Sequence, residues 1–209
     1  MHELNQINVL GIVGSPRRNG NTEILVDEIL SGAAEAGAQI GKVILDELDI
    51  SPCKACNACK GGNPCIHDDD MSALLEMMEN SQVWVLGTPI YWWGPTAQMK
   101  AFVDRWYGAN YAKFQDKRVI LALPLGGSKE ESAQHTIGMF RSIMDYLNMK
   151  HIATVVAPGI NQRGAIREKS SILTIARDTG RFAVEELDCS QECSLDQRNE
   201  ESSLNVRSG

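Results

Sequence analysis

The connection between a buried strand and a helix near the start of this 209-residue chain constrains the fold more than any other feature. Residues 9–13 are almost continuously apolar, which is typical of a parallel-sheet strand covered on both faces rather than of a half-exposed strand. A loop of small and polar residues follows at 14–20, and a helical pattern begins at Asn21. This strand–loop–helix unit indicates an α/β protein with a doubly wound sheet.

The loop after this strand concentrates hydrogen-bond donors. Gly14 and Gly20 allow sharp turns, and the helix that follows directs free N–H groups and the positive end of its dipole at the loop. Four side chains could donate to the same anion: Ser15, Arg17, Asn21 and Thr22. The loop lacks the Gly-Lys-Ser/Thr ending of a nucleotidase P-loop and the glycine spacing of a dinucleotide-binding loop. The pattern therefore predicts a site for a terminal phosphate monoester. The alternative is a turn in which Asn21 or Thr22 only caps the helix.

A cysteine-rich loop lies between a second predicted strand, at residues 40–45, and a helix that follows residue 68. Four of the six cysteines fall within thirteen residues, at Cys53, Cys56, Cys59 and Cys65. The first three cysteines are each separated by two residues, which lets their thiolates converge on one centre. The Gly-Gly-Asn-Pro stretch at 61–64 lets the fourth cysteine reach them. The pattern favours a [4Fe-4S] cluster. A structural zinc site and disulfides remain open, although zinc more often uses separated knuckles and disulfides suit an oxidising compartment.

Another ligand site is predicted where a third buried strand, residues 83–87, ends. Pro89 and Gly94 bracket flat side chains and backbone amides, among them Ile90, Tyr91 and Trp92. Ligands bind at the carboxyl ends of strands in open α/β sheets, so we expect this loop to contact a flat ring. The alternative is that its aromatic residues only pack in the core or an interface. A glycine-bearing loop with Gly126 and Gly127 follows the fourth strand, residues 118–124, at the same edge.

Strand and helix alternate five times, which predicts a flavodoxin-like, doubly wound, five-stranded parallel sheet in the order 2-1-3-4-5. We expect one domain over residues 1–187, with the cysteine loop at 46–67 inserted after strand 2, and a polar, disordered tail over 188–209. The tail contains Cys189 and Cys193.

Several charged residues are interpreted as structural. Asp68, Asp69 and Asp70 precede a helical pattern and are expected to cap it. Pro95 is expected to open the next helix, in which Asp104-Arg105 are interpreted as scaffold. His135, on a helix predicted over 130–148, is expected to be solvated or packed.

The first loop resembles that of the NADPH-dependent FMN reductase family, and the cysteine spacing resembles its iron-sulfur flavoprotein branch. Residues 14–22 match Gly-Ser-Pro-Arg-x-x-Gly-Asn-Thr in full. The resemblance implies that the first loop binds the FMN phosphate and that the later loops contact the ring. The implied FMN-binding residues are Ser15, Arg17, Asn19, Asn21, Thr22, Pro89, Ile90, Tyr91, Trp92, Gly94, Gly126 and Gly127. The implied cluster ligands are Cys53, Cys56, Cys59 and Cys65.

Together the two sites predict an oxidoreductase that passes electrons between FMN and a [4Fe-4S] cluster. One alternative is an NAD(P)H-dependent FMN or quinone reductase whose cysteines bind zinc or no metal, with NADPH or NADH as substrate. Arg163 and Arg167, after the fifth strand, would then be candidates to meet the nicotinamide cofactor's phosphate. Another alternative is a non-enzymatic electron carrier. No acid, base or nucleophile constellation is evident, so no catalytic residue is assigned.

Composition bounds the partners and the location. The net charge of −7 and the dispersed basic residues argue against nucleic-acid binding. Neither a signal-peptide pattern nor an apolar run of about 18 residues is evident, so we expect a cytoplasmic protein without membrane contact. We expect a small-molecule or protein redox partner, such as a ferredoxin. Aromatic residues at Trp92, Trp93, Tyr107 and Tyr111 predict an interface, and the resemblance implies a dimer or tetramer. Because the cysteine loop and the ring loop follow different strands, we expect a homodimer or homotetramer in which the cluster of one subunit serves the FMN of its neighbour.

Overall fold

A computed structural model describes residues 6–205, with side chains for residues 6–187. Five parallel strands form one sheet in the order β2-β1-β3-β4-β5, as the sequence predicts. The strands are β1 (Asn8–Val13), β2 (Gln39–Ile44), β3 (Val83–Gly87), β4 (Arg118–Pro124) and β5 (Lys150–Ala157). The α-helices are α1 (Asn21–Glu35), α2 (Met71–Glu79), α3 (Ala97–Asp104), α4 (Gln134–Tyr146) and α5 (Ser170–Asn205).

Helices cover both faces of the sheet, so alternate strand residues enter two separate cores. Val9 and Val13 of β1 pack with α1 and α5 on one face. Leu10 and Ile12 of the same strand pack with α2, α3 and α4 on the other. This double burial explains why the central strands are almost continuously apolar, because neither face meets water.

Helix boundaries differ from the sequence-based expectation at three places. α3 begins after Thr96, whose hydroxyl accepts a hydrogen bond from the N–H of Met99, so Pro95 precedes the cap instead of opening the helix. A short 3-10 segment, Glu130–Ala133, comes before α4. α5 continues beyond Leu187, where the helix was expected to end, because the chain has no proline or glycine from there to residue 205 to stop it.

The side chains of residues 188–205, and all of residues 206–209, lie outside the described residues, and with them Cys189 and Cys193. The division into a domain over 1–187 and a tail over 188–209 therefore stays a prediction. Of the described helices, none combines the length and apolar character that crossing a bilayer requires.

Candidate functional site

A cleft of about 720 Å³ opens at the carboxyl edge of the sheet, between the loops that follow β1, β3, β4 and β5. Ten of the twelve residues predicted to bind FMN line it: Ser15, Arg17, Asn21, Thr22, Pro89, Ile90, Tyr91, Trp92, Gly126 and Gly127. Asn19 and Gly94 do not. Four further lining residues were not predicted: Pro124, Leu125, Ile160 and Asn161. Ile160 and Asn161 follow β5, and the loop after this strand carries no motif comparable to those of the other loops.

The two adjacent arginines of the first loop have different surroundings. Arg18 forms ion pairs with Glu23 and Glu47. Arg17 lines the cleft, and its exposed guanidinium has no ion pair or hydrogen bond with any residue that the structure describes. The hydroxyl of the buried Ser15 accepts a hydrogen bond from the N–H of Arg17 at 3.3 Å, which leaves the hydroxyl proton available. Arg17 and Ser15 can therefore both donate to an anion in the cleft.

Asn19 shapes this loop from outside the cleft. Its backbone is in the left-handed region, with φ of 50°, and its N–H donates to the Glu23 carboxylate at 2.5 Å. Burial raises the pKa of Glu23, but hydrogen bonds from Lys42 and from the Asn19 backbone outweigh it, so the pKa lies below its ordinary value. The ionised carboxylate therefore holds the loop in place beneath the cleft.

The side chain of Asn21 is engaged in structural hydrogen bonds, contrary to the expectation that it donates to an anion. Its amide nitrogen donates to the carbonyl oxygen of Gln162 at 2.9 Å, and its oxygen accepts from the N–H of Ile166 at 3.2 Å. Asn21 thus joins α1 to the loop after β5. The N-cap of α1 is Gly20 and no side chain caps the helix, so the simple capping alternative is wrong. The first-turn N–H groups stay available for an anion.

The loop after β3 ends in a tight, strained turn. Tyr91 and Gly94 exchange backbone hydrogen bonds of 2.9 and 3.0 Å, while Trp92 and Trp93 have φ values of 48° and 63°. Two consecutive positive φ angles define a type I′ turn, a conformation that is costly for side chains as large as tryptophan. The Thr136 hydroxyl donates to the carbonyl oxygen of Trp93 at 3.0 Å and anchors the turn to α4. Gly94 closes the turn, and Trp92, 91% exposed, forms a wall of the cleft.

A second cavity, of about 390 Å³, lies beyond the carboxyl end of α3 and is lined by all four cysteines of the loop. Ala55 and Asn57, between these cysteines, have φ values of 51° and 60°. Left-handed residues that alternate with right-handed ones turn backbone N–H groups into a common concavity, as in many anion and iron-sulfur sites. The N–H of Ala55 donates to the sulfur of Cys53 at 3.4 Å.

Arg105 lines this second cavity, although the sequence indicated only a scaffold role for it. Its guanidinium donates to both carboxylate oxygens of Asp69, at 2.5 and 2.9 Å, and lies 3.5 Å from the sulfur of Cys65. The hydrogen bond from Arg105 lowers the pKa of Asp69. The only sequence signal was the adjacent Asp104-Arg105 pair, which lies at the carboxyl end of α3.

The helix-capping interpretation of the three aspartates holds only in part. Asp69 accepts from the N–H of Met71 at 3.3 Å, as a capping residue would, but its main partner is Arg105. The carboxylate of Asp70 makes no capping bond and accepts from the N–H of Asp49 at 2.8 Å. Both side chains therefore hold the two ends of the cysteine loop together.

The cysteine cavity suits a group larger than one metal ion. Among the residues that the structure describes, no three His, Cys, Asp or Glu side chains are grouped closely enough to hold a metal ion. Four thiolates around one zinc would lie about 3.8 Å apart, because Zn–S bonds are about 2.3 Å long. The cavity of about 390 Å³, lined by all four cysteines, has room for a larger group such as an iron-sulfur cluster, whose ligands are cysteine thiolates.

The doubly wound sheet and the cleft at its carboxyl edge define a flavodoxin-like fold. Residues 7–162 match the family model for NADPH-dependent FMN reductase, and the chain belongs to this family of FMN-dependent oxidoreductases, in its iron-sulfur flavoprotein branch. The iron-sulfur flavoprotein of Methanosarcina thermophila is 34% identical over 154 residues, covering 73% of this chain and 78% of that protein. One from Methanocaldococcus jannaschii is 35% identical over 129 residues, 62% of this chain and 67% of that one.

Solved structures with low sequence identity share the fold. The NAD(P)H:quinone oxidoreductase from Methanothermobacter marburgensis superposes with a TM-score of 0.68 at 17% identity, over 84% of this chain and 96% of that one. A flavone reductase has a TM-score of 0.68 at 21% identity, over 87% of this chain and 64% of that one.

Proposed function

We propose that this protein transfers electrons between FMN and a [4Fe-4S] cluster ligated by Cys53, Cys56, Cys59 and Cys65. The observation that carries the proposal is that all four cysteines line one cavity, separate from the cleft that carries the FMN-binding motif. FMN, when bound, supplies a couple that takes either a hydride or single electrons, whereas a cluster passes one electron at a time.

The chain's own residues would hold FMN at two points of the first cleft. Arg17, the Ser15 hydroxyl and the uncapped N–H groups of α1 bind the phosphate. The loop after β3 and the backbone of Gly126 and Gly127 would hold the ring. A Cβ at Gly126 would come within 1.9 Å of the Asn161 side-chain oxygen, so a larger residue there would displace the Asn161 side chain.

The separation of the two clefts bears on assembly. The ring loop lies before α3 and the cysteine cavity lies after it, and a helix of eight residues is about 12 Å long. Exposed aromatic residues stand beside both clefts, with Trp92 at one and Tyr107, 68% exposed, at the other. Aromatic residues are enriched in interface cores. We therefore propose a homodimer or homotetramer in which the cluster of one subunit serves the FMN of its neighbour.

Metal and cofactor content tests this function directly. The full-length protein, purified without oxygen, is expected to contain FMN and about four iron and four sulfide ions per subunit. Cys56→Ala should abolish the iron-sulfur absorbance and retain FMN, because the phosphate loop belongs to a separate segment. Cys189→Ala, which removes a cysteine outside the loop, should retain both cofactors. Full iron content in Cys56→Ala would contradict the ligand assignment.

The same preparation separates the alternatives. One zinc ion per subunit, without sulfide, would favour an NAD(P)H-dependent FMN or quinone reductase with a structural metal. Steady oxidation of NADPH or NADH with a quinone acceptor marks an enzyme that turns over a small substrate. Reduction by a protein donor such as a ferredoxin, without such turnover, marks an electron carrier.

A further inference from the structure

Arg105 and Asp69 join the two ends of the cysteine loop. Arg105 donates to the carbonyl oxygen of Ser51 at 2.8 Å, and Asp69 accepts from the N–H of Ser51 at 3.1 Å. Ser51 precedes the first cysteine and Asp69 follows the last, so the ion pair closes the loop at its base. The side chains of Arg105 and Asp69 are only 2% and 3% exposed.

The guanidinium also reaches one cysteine directly. One nitrogen of Arg105 lies 3.5 Å from the sulfur of Cys65, while both of its terminal nitrogens bind Asp69. Cys65 is separated from the other three cysteines by Gly61 and Gly62, whose φ values of 76° and 84° are left-handed conformations that favour glycine. Cys59 has no such cationic contact, since its sulfur instead lies 3.5 Å from the backbone carbonyl oxygen of Tyr107.

Stability alone is a weak reason for this arrangement. A buried ion pair loses much of its attraction to desolvation, and apolar replacements of equal volume are often neutral or stabilising. A fixed positive charge whose N–H groups point at a thiolate has a second effect, on the reduction potential. It favours the reduced, more negatively charged state of the group that the thiolate binds.

We propose that Arg105 is a positioning residue that orients Cys65 as the fourth cluster ligand and raises the reduction potential of the cluster. The inference rests on the proposed function, since it requires the cluster. Reduction adds one negative charge to the cluster, and the guanidinium stabilises that charge through the Cys65 sulfur. The planar fork of Arg105 is needed to bind Asp69 and Cys65 together, and lysine cannot reproduce it.

The test compares three variants of the full-length protein, loaded with both cofactors, by anaerobic redox titration with separate cluster and flavin signals. Arg105→Met should shift the cluster potential to a more negative value and leave the flavin couple unchanged. Arg105→Lys keeps the charge without the fork, so its shift should be smaller and in the same direction. Lys150→Met is the matched control, because Lys150 is exposed on β5, pairs with Asp116 and lines neither cavity. Its cluster potential should equal that of the wild type.

The outcomes separate this inference from the proposed function. A wild-type protein without iron and sulfide would overturn both. A wild-type protein with its cluster, but with the same cluster potential in Arg105→Met and Arg105→Lys, would overturn the inference alone. Loss of iron from Arg105→Met with FMN retained supports the positioning role, and the potential is then judged on Arg105→Lys. If Arg105→Met does not fold, Arg105→Lys again decides the result.

Discussion

The hydroxyl of Thr96 donates a hydrogen bond of 2.5 Å to the carbonyl oxygen of Gly14, where β1 enters the loop predicted to bind phosphate. The same hydroxyl accepts from the N–H of Met99 and so caps α3. Thr96 is fully buried. One side chain therefore couples the phosphate loop to the helix that separates the two clefts.

Thr96→Val keeps the shape of this side chain and removes both hydrogen bonds. We expect a loss of about 1–3 kcal/mol in the free energy of unfolding, because a helix cap is lost and the Gly14 carbonyl is left without this donor. Urea unfolding measures the loss. Thr174→Val is the matched control, since the Thr174 hydroxyl is exposed and bonds only the carbonyl oxygen of Ser170 in its own helix. Equal losses in the two variants would show that the buried bonds contribute no more than the exposed bond of Thr174.

Arg17→Ala should raise the dissociation constant for FMN by about 10- to 100-fold, because a charge-assisted hydrogen bond to phosphate is worth about 1.5–3 kcal/mol. Fluorescence titration of the apoprotein with FMN measures the change. Arg18→Ala removes the neighbouring guanidinium, which is engaged by Glu23 and Glu47, and should have a much smaller effect. If Arg18→Ala has the larger effect, the phosphate lies elsewhere.

The Asp69–Arg105 pair predicts an acid-dependent loss of stability. The hydrogen bond from Arg105 lowers the pKa of Asp69 in the folded state, whereas an unfolded aspartate titrates near pH 3.9. The contribution is therefore fully present above about pH 4 and is lost as the pH falls through the folded pKa. Unfolding free energy measured in apoprotein from pH 7 to pH 3 should fall more steeply in the wild type than in Asp69→Asn. Parallel curves would mean that Asp69 has an ordinary pKa.

Trp92→Ser should weaken the proposed assembly, because it removes the most exposed aromatic side chain beside the FMN cleft. Sedimentation velocity at micromolar concentration should show a shift towards the monomer. Phe182→Ser is the control, since Phe182 is a half-exposed aromatic residue on α5, away from both clefts. A wild-type monomer would refute the assembly, as would Phe182→Ser dissociating it while Trp92→Ser does not.

Mixed oligomers test the exchange between subunits. Subunits with Cys56→Ala lack the cluster and subunits with Arg17→Ala bind FMN weakly, so an oligomer of the two leaves one FMN site and one cluster on different chains. If the cluster of one subunit serves the neighbouring FMN, this pair retains electron transfer. Its complete loss, with both cofactors bound, would place transfer within one subunit.

The sequence by itself determined the fold and the position of both clefts. Continuous apolar runs such as 83–87 are typical of strands in a sheet covered on both faces, and short connections between alternating strands and helices leave few topologies. The first loop and the ring loop were predictable because each carries its donors or aromatic residues within one short segment. The shared cavity of the cysteines was predictable for the same reason, since the first three are each only two residues apart and therefore lie close together.

Only the tertiary structure decided which polar side chains are free to act. Arg17 and Arg18 are adjacent and identical in type, and they differ because Glu47, far along the chain, engages only the second. The Asn21 side chain is engaged by the backbone of residues 162 and 166, more than 140 residues away, and Arg105 meets its partner Asp69 across 36 residues. Such contacts depend on which distant loops fold against each other, and no local pattern of residue types encodes that.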